Sequence, residues 1–127
     1  MMPRPDVLSL PELVNANERL VHRGRFLTAV MRLDIGADAY LISIDRGRIA
    51  EVRKGPFVMP SWTFGLSCPA DALERFWQPL PPPGFHDLFA LLRRGDLTLS
   101  GNLQPFMANL LYIKDVMASL RSPKETA

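Results

Sequence analysis

Within nine residues, Arg94 to Asn102, the chain stops a helix, lays down a short alternating strand and starts another helix. Gly95 is the stop, Leu97 and Leu99 alternate with Thr98 and Ser100, and Asn102 is a helix cap. The stretch that follows, Leu103 to Leu120, is the most apolar of the chain. Phe106, Leu110, Ile113, Met117 and Leu120 fall on one helical seam, and Leu103, Met107 and Leu111 form a second row beside it. The spacing predicts a closing helix over 103–120 with an apolar face wider than a narrow seam. Such a helix covers a sheet, or it also walls a cavity or meets a partner.

Upstream, Ser9-Leu10-Pro11-Glu12 reads as a capping box for a helix whose stripe runs Leu10, Leu13, Val14, Asn17, Leu20, Val21 and ends at Gly24. From Leu27 the period changes to two. Leu27, Ala29, Met31, Leu33 and Ile35 share one face of a strand; Tyr40, Ile42 and Ile44 mark a second strand; Asp45 to Arg48 closes a hairpin into Ile49 to Lys54. A fourth strand alternates Trp62, Phe64, Leu66 and Cys68 with small polar residues. Helices follow at Leu73, Phe76, Trp77 and at Phe85, Leu88, Phe89, Leu92, joined by the stiff Leu80-Pro81-Pro82-Pro83-Gly84. Segregated strands and helices predict an α+β fold: a mostly antiparallel five-stranded sheet covered by helices.

At 127 residues, 47% apolar and 22% charged, the chain fits one globular domain, with residues 1–8 and 122–127 expected to be flexible. One cysteine, Cys68, excludes an internal disulfide and a multi-cysteine zinc site and suits a reducing, cytoplasmic setting of bacterial type. A net charge of +2 is too balanced to argue for nucleic acid. No apolar run reaches membrane-spanning length, the N-terminus lacks a signal-peptide layout, and the C-terminus lacks a peroxisomal address.

The polar residues point away from catalysis. His22 and His86 lie in separate segments without ligand-spaced partners, so neither a metal site nor a cofactor is expected. Adjacent residues on a helix do not face each other, and Asp87 suits the first turn of a helix better than the orienting of His86. A lone Cys68 before Pro69 behaves as a small hydrophobe more often than as a nucleophile. No nucleophile elbow, phosphate loop or dinucleotide fingerprint is present. Arg46, Arg48, Arg53 and Lys54 form the densest basic group, which reads as a solvated hairpin or as a contact for phosphate or anionic lipid. Large aromatics recur on several elements, which is consistent with a filled core and with an apolar pocket.

Taken together, the Gly95-Asp96-Leu97-Thr98-Leu99-Ser100-Gly101 strand, the short helix before it, the apolar helix after it and the element order over residues 10–121 resemble the type 2 sterol carrier protein family. Asn102 stands where that family often has Asp. The resemblance implies a non-enzymatic protein that binds or transfers a fatty acyl, phospholipid, or sterol- or isoprenoid-like molecule in an apolar tunnel. It implies a wall from the last helix, Phe106, Met107, Leu110, Leu111 and Met117. Opposing walls would come from Trp62, Phe64, Phe76, Trp77, Leu88, Phe89 and Leu92, with Phe85 near the mouth. The alternative is an accessory module that dimerises, or docks on a partner enzyme, through its apolar C-terminal helix. A transient membrane-surface contact is compatible with either.

Overall fold

The computed structural model describes residues 7–58, 60–78 and 88–120. A turn of 3-10 helix, Val7–Ser9, leads into α1 (Leu10–Asn15) and α2 (Glu18–Arg23). Strands β1 (Thr28–Ile35), β2 (Asp38–Asp45), β3 (Arg48–Lys54) and β4 (Phe64–Cys68) follow, then α3 (Ala70–Phe76), α4 (Leu88–Arg94), β5 (Thr98–Gly101), α5 (Leu103–Ala108) and α6 (Leu110–Ala118). The predicted α+β order is present, with two helices each broken once.

Both breaks fall at asparagine. Asn17 leaves the helical region (φ −102°, ψ 94°), and its side chain accepts the Leu20 amide, so α2 starts afresh there. Asn109 (φ −124°, ψ 33°) sits between α5 and α6 and donates its side-chain amide to the Pro105 carbonyl at 3.0 Å. Asparagine side chains compete for backbone groups in this way, and an apolar seam alone does not register the competition. The capping box also differs from expectation, because Ser9 belongs to the 3-10 turn and has helical backbone angles (φ −82°, ψ −4°).

The sheet order is β3-β2-β1-β4-β5. The β1, β2, β3 meander is antiparallel as predicted, and β5 is antiparallel to β4, but β4 runs parallel to β1. The sheet is therefore mixed rather than mostly antiparallel. Period-two patterning fixes which face of a strand is buried, not which neighbour it takes. Here the chain from Gly55 onward passes β2 and joins the free side of β1, pairing Met31 with Phe64 and Ile35 with Cys68. β4 is thus internal to the sheet, and Phe64, Gly65, Leu66 and Cys68 are all buried. Trp62 lies before this strand, not within it.

The core packs on one sheet face. Ala29, Met31, Leu33 and Ile35 of β1 and Tyr40, Ile42 and Ile44 of β2 are buried as the alternation requires. Between β2 and β3 the turn residues Arg46 (φ 51°) and Gly47 (φ 85°) both take positive φ, the two-residue geometry that matches strand twist. A β-bulge between Ser43 and Ile44 leaves Ala50 outside the pairing. On the outer edge of β3, the Asn15 side chain of α1 both accepts the Ile49 amide at 2.8 Å and donates to the Ile49 carbonyl at 3.0 Å.

Candidate functional site

Four of the aromatic residues singled out in the sequence, Phe64, Phe76, Trp77 and Phe106, join one core with the C-terminal helices. Phe64 of β4 and Phe106 of α5 meet edge to face, with ring centroids 5.7 Å apart and an interplanar angle of 62°. Asn102 orients α5 for this contact, its side chain accepting the Gln104 amide at 3.2 Å. Phe76 is buried at the end of α3. Trp77, immediately after it, is buried too and donates its indole Nε1 proton to the Met117 carbonyl at 2.9 Å. That bond satisfies a terminal carbonyl of α6 and fixes where α3 ends relative to α6.

Leu88 and Met117 are also buried, while Leu92 and Leu110 are half-buried against the same core. Phe89 is half-buried beneath the Lys114 ammonium, which lies 5.2 Å from its ring centroid. Trp62 is half-buried with its ring against Gly65 and Gly101. Met107 and Leu111 face outward, 56% and 63% exposed. Phe85, with His86 and the Pro81 to Gly84 linker, lies outside the described residues.

Sequence reasoning missed two buried members of this assembly, Val116 and Leu91. Val116 stands four residues after Tyr112 and three after Ile113, so a third helical row on α6 was available as a signal. Tyr112 of α6 carries a structural role of its own. Its ring packs on Gly24, where any Cβ would come within 2.4 Å of the ring, and its hydroxyl donates to the Gly47 carbonyl.

The interior is electrostatically quiet. No Asp, Glu, Lys, Arg, His, Asn, Gln, Ser or Thr among the described residues is buried. Burial, with the nearby Asp96 and Asp71 charges, pushes the Cys68 thiol up to about 12, which removes its thiolate at neutral pH. Burial likewise raises the Tyr112 phenol well above its ordinary range. Among the described residues no group of three or more His, Cys, Asp or Glu could hold a metal ion, and no helix is long and apolar enough to cross a membrane. A recess of about 370 Å³ opens between α2 and α6, lined by Asn17, Arg19, Leu20, Arg23, Asp115, Ala118 and Ser119. Its charged rim separates it from the apolar assembly.

No protein-family model matches the sequence, and no curated protein does. The fold, by contrast, matches known structures over nearly its full length. A crystal structure of sterol carrier protein 2 superposes with a TM-score of 0.74 at 11% identity, covering 93% of this chain and 95% of that chain. The fold is that of sterol carrier protein 2. The sterol carrier protein domain 2 of Helicoverpa armigera matches with a TM-score of 0.58 at 12% identity, covering 100% of this chain and 98% of that one. A ubiquinone synthesis protein, UbiJ-SCP2, matches with a TM-score of 0.53 at 18% identity, covering 87% and 89%. In the sterol carrier fold of this chain, α5 packs over β4, with Phe106 seated on Phe64, and α6 packs against α2.

Proposed function

We propose that the protein is a non-enzymatic carrier that binds an apolar molecule, of fatty acyl, phospholipid or isoprenoid-like chemistry, between the sheet and helices α3 to α6. The observation that supports this reading is the sterol carrier fold together with an interior built only of apolar and aromatic side chains, among them Phe64, Phe76, Trp77, Leu88, Phe106 and Met117. Leu92, Phe89 and Leu110, half-buried, form the margin through which a tail enters, whereas Trp62 lies over Gly65 on the other face of the sheet. Each methylene taken from water contributes roughly 0.8 kcal/mol, so an acyl tail needs few polar contacts to bind. Met117 adapts the wall to tails of different shape, because an unbranched thioether repacks readily. His22 is exposed and Cys68 is buried with its thiol protonated, so neither is placed as a nucleophile or base.

Native mass spectrometry of the purified protein, followed by solvent extraction and lipid analysis, tests the proposal. A stoichiometric lipid adduct supports it and names the ligand class. A clean apo mass, with no binding of a fluorescent fatty acid, overturns it.

A second reading, an accessory module docking through the C-terminal helices, is favoured by one observation: Met107 and Leu111 stand exposed on consecutive helices. A fold neighbour named for ubiquinone synthesis is compatible with it. Light scattering that shows a stable dimer, or a partner enzyme co-purifying in fixed ratio, supports that reading.

A further inference from the structure

Two turns distant in sequence meet at one end of the sheet. The Gly47 amide donates to the Leu27 carbonyl at 3.3 Å, and the Arg46 amide to the Thr28 hydroxyl at 3.2 Å. Gly47 also lies so close to the Val21 carbonyl that a Cβ there would come within 2.3 Å of it. The hairpin turn is thereby locked onto the segment joining α2 to β1. Arg25, Phe26, Arg46 and Arg48 are gathered at this end, and all four are exposed.

Phe26 is 82% exposed, and the Arg25 guanidinium sits over its ring, 4.5 Å from the centroid. Arg25 is held there by donating to the His22 carbonyl at 2.8 Å. The acidic groups nearby are Asp45, in the hairpin itself, Glu18, at the start of α2, and Asp115, which Arg23 engages. The local balance is cationic although the whole chain carries only +2.

We infer that this end of the molecule docks on the surface of an anionic lipid bilayer. The complementarity is of charge and of polarity. Guanidinium groups meet lipid phosphates, and a single large ring enters the boundary between headgroups and acyl chains. Single-stranded RNA fits less well, because it stacks on several aromatic platforms along a basic groove. Among the described residues Phe26 is the only strongly exposed aromatic. The inference is independent of whether the interior holds a ligand.

Co-sedimentation of the full chain with vesicles tests it, comparing phosphatidylcholine alone with phosphatidylcholine containing phosphatidylglycerol. Binding is expected only to the anionic vesicles, falling as salt is raised. Arg25→Gln and Arg48→Gln should each lower the partition coefficient roughly five-fold, and Phe26→Ala by a similar factor. Arg53→Gln removes the same charge roughly 17 Å further along β3 and should change binding by less than about two-fold. If a substitution in β3 lowers the melting temperature, Phe26→Ala and the salt series decide alone. Binding to neutral vesicles as strong as to anionic ones, binding to neither, or an equal loss for Arg53→Gln overturns the inference. So does tighter binding of a single-stranded RNA at the same salt.

Discussion

The Tyr112 hydroxyl donates to the main-chain carbonyl of Gly47 across 2.7 Å, joining α6 to the turn between β2 and β3. The same ring lies against Gly24, so a single side chain gathers the C-terminal helix, the end of α2 and the hairpin. Tyr112→Phe leaves the Gly47 carbonyl without its partner and should cost about 2 kcal/mol in urea unfolding. Gly24→Ala pushes a methyl into the ring and should cost a comparable amount, about 2 kcal/mol, by overpacking. The double variant should cost less than the sum, because both act on the placement of one ring.

Alkaline pH should destabilise the fold through Cys68. In the unfolded chain a thiol ionises near 8.5, whereas the folded protein keeps this proton up to about 12. The folded state therefore binds the proton more tightly. Its contribution is complete below the unfolded value and is lost as pH rises toward about 12, at roughly 1.4 kcal/mol per pH unit. The raised Tyr112 phenol acts in the same direction at higher pH. Urea midpoints measured from neutral to alkaline pH should fall less steeply for Cys68→Ala than for the wild type. A parallel fall in both would contradict the assignment.

Trp77→Phe keeps an aromatic ring but vacates part of a buried site and leaves the Met117 carbonyl without the indole proton. We expect a loss of about 1.5 kcal/mol. Hydrogen exchange should quicken at the end of α6 more than in β1 to β3, since the bond anchors a helix terminus. Uniform acceleration would mean that Trp77 stabilises the whole domain rather than that terminus.

On the carrier reading, Leu110→Asp places a charge at the margin of the apolar wall. A folded Leu110→Asp protein should bind a fluorescent fatty acid at least about ten-fold more weakly. Unchanged affinity in a protein with a wild-type circular dichroism spectrum would count against the site.

Met107→Ser and Leu111→Ser should each change stability by less than about 0.5 kcal/mol, because both side chains already face outward. Sedimentation velocity gives a second readout. If the C-terminal helices are a docking face, the double variant should lose an association that the wild type shows, while a monomeric wild type removes that role from these residues.

The meander was legible because β1 buries alternate residues and β2 buries Tyr40, Ile42 and Ile44 at the same period, although Leu41 between them is buried as well. The parallel pairing of β1 with β4 was not, since it depends on a route from Gly55 to Phe64 that leaves no periodic trace. The apolar seam of 103–120 located the buried residues Phe106, Ile113 and Met117. It did not show the interruption at Asn109, whose backbone leaves the helical region (φ −124°, ψ 33°) while its side chain adds a second bond to the Pro105 carbonyl. Nor did spacing distinguish Met107 and Leu111 from their buried neighbours. Which row of a wide apolar face turns inward is decided by what packs on it, here Phe64 and Trp77, and these come from distant parts of the chain.

Asn15 holds Ile49 through both of its backbone groups, as a neighbouring strand would. β3 is the last strand on that side of the sheet, and an open strand is a template on which a second copy can add. One amide side chain therefore occupies, at Ile49, the edge bonds that an incoming strand would need there.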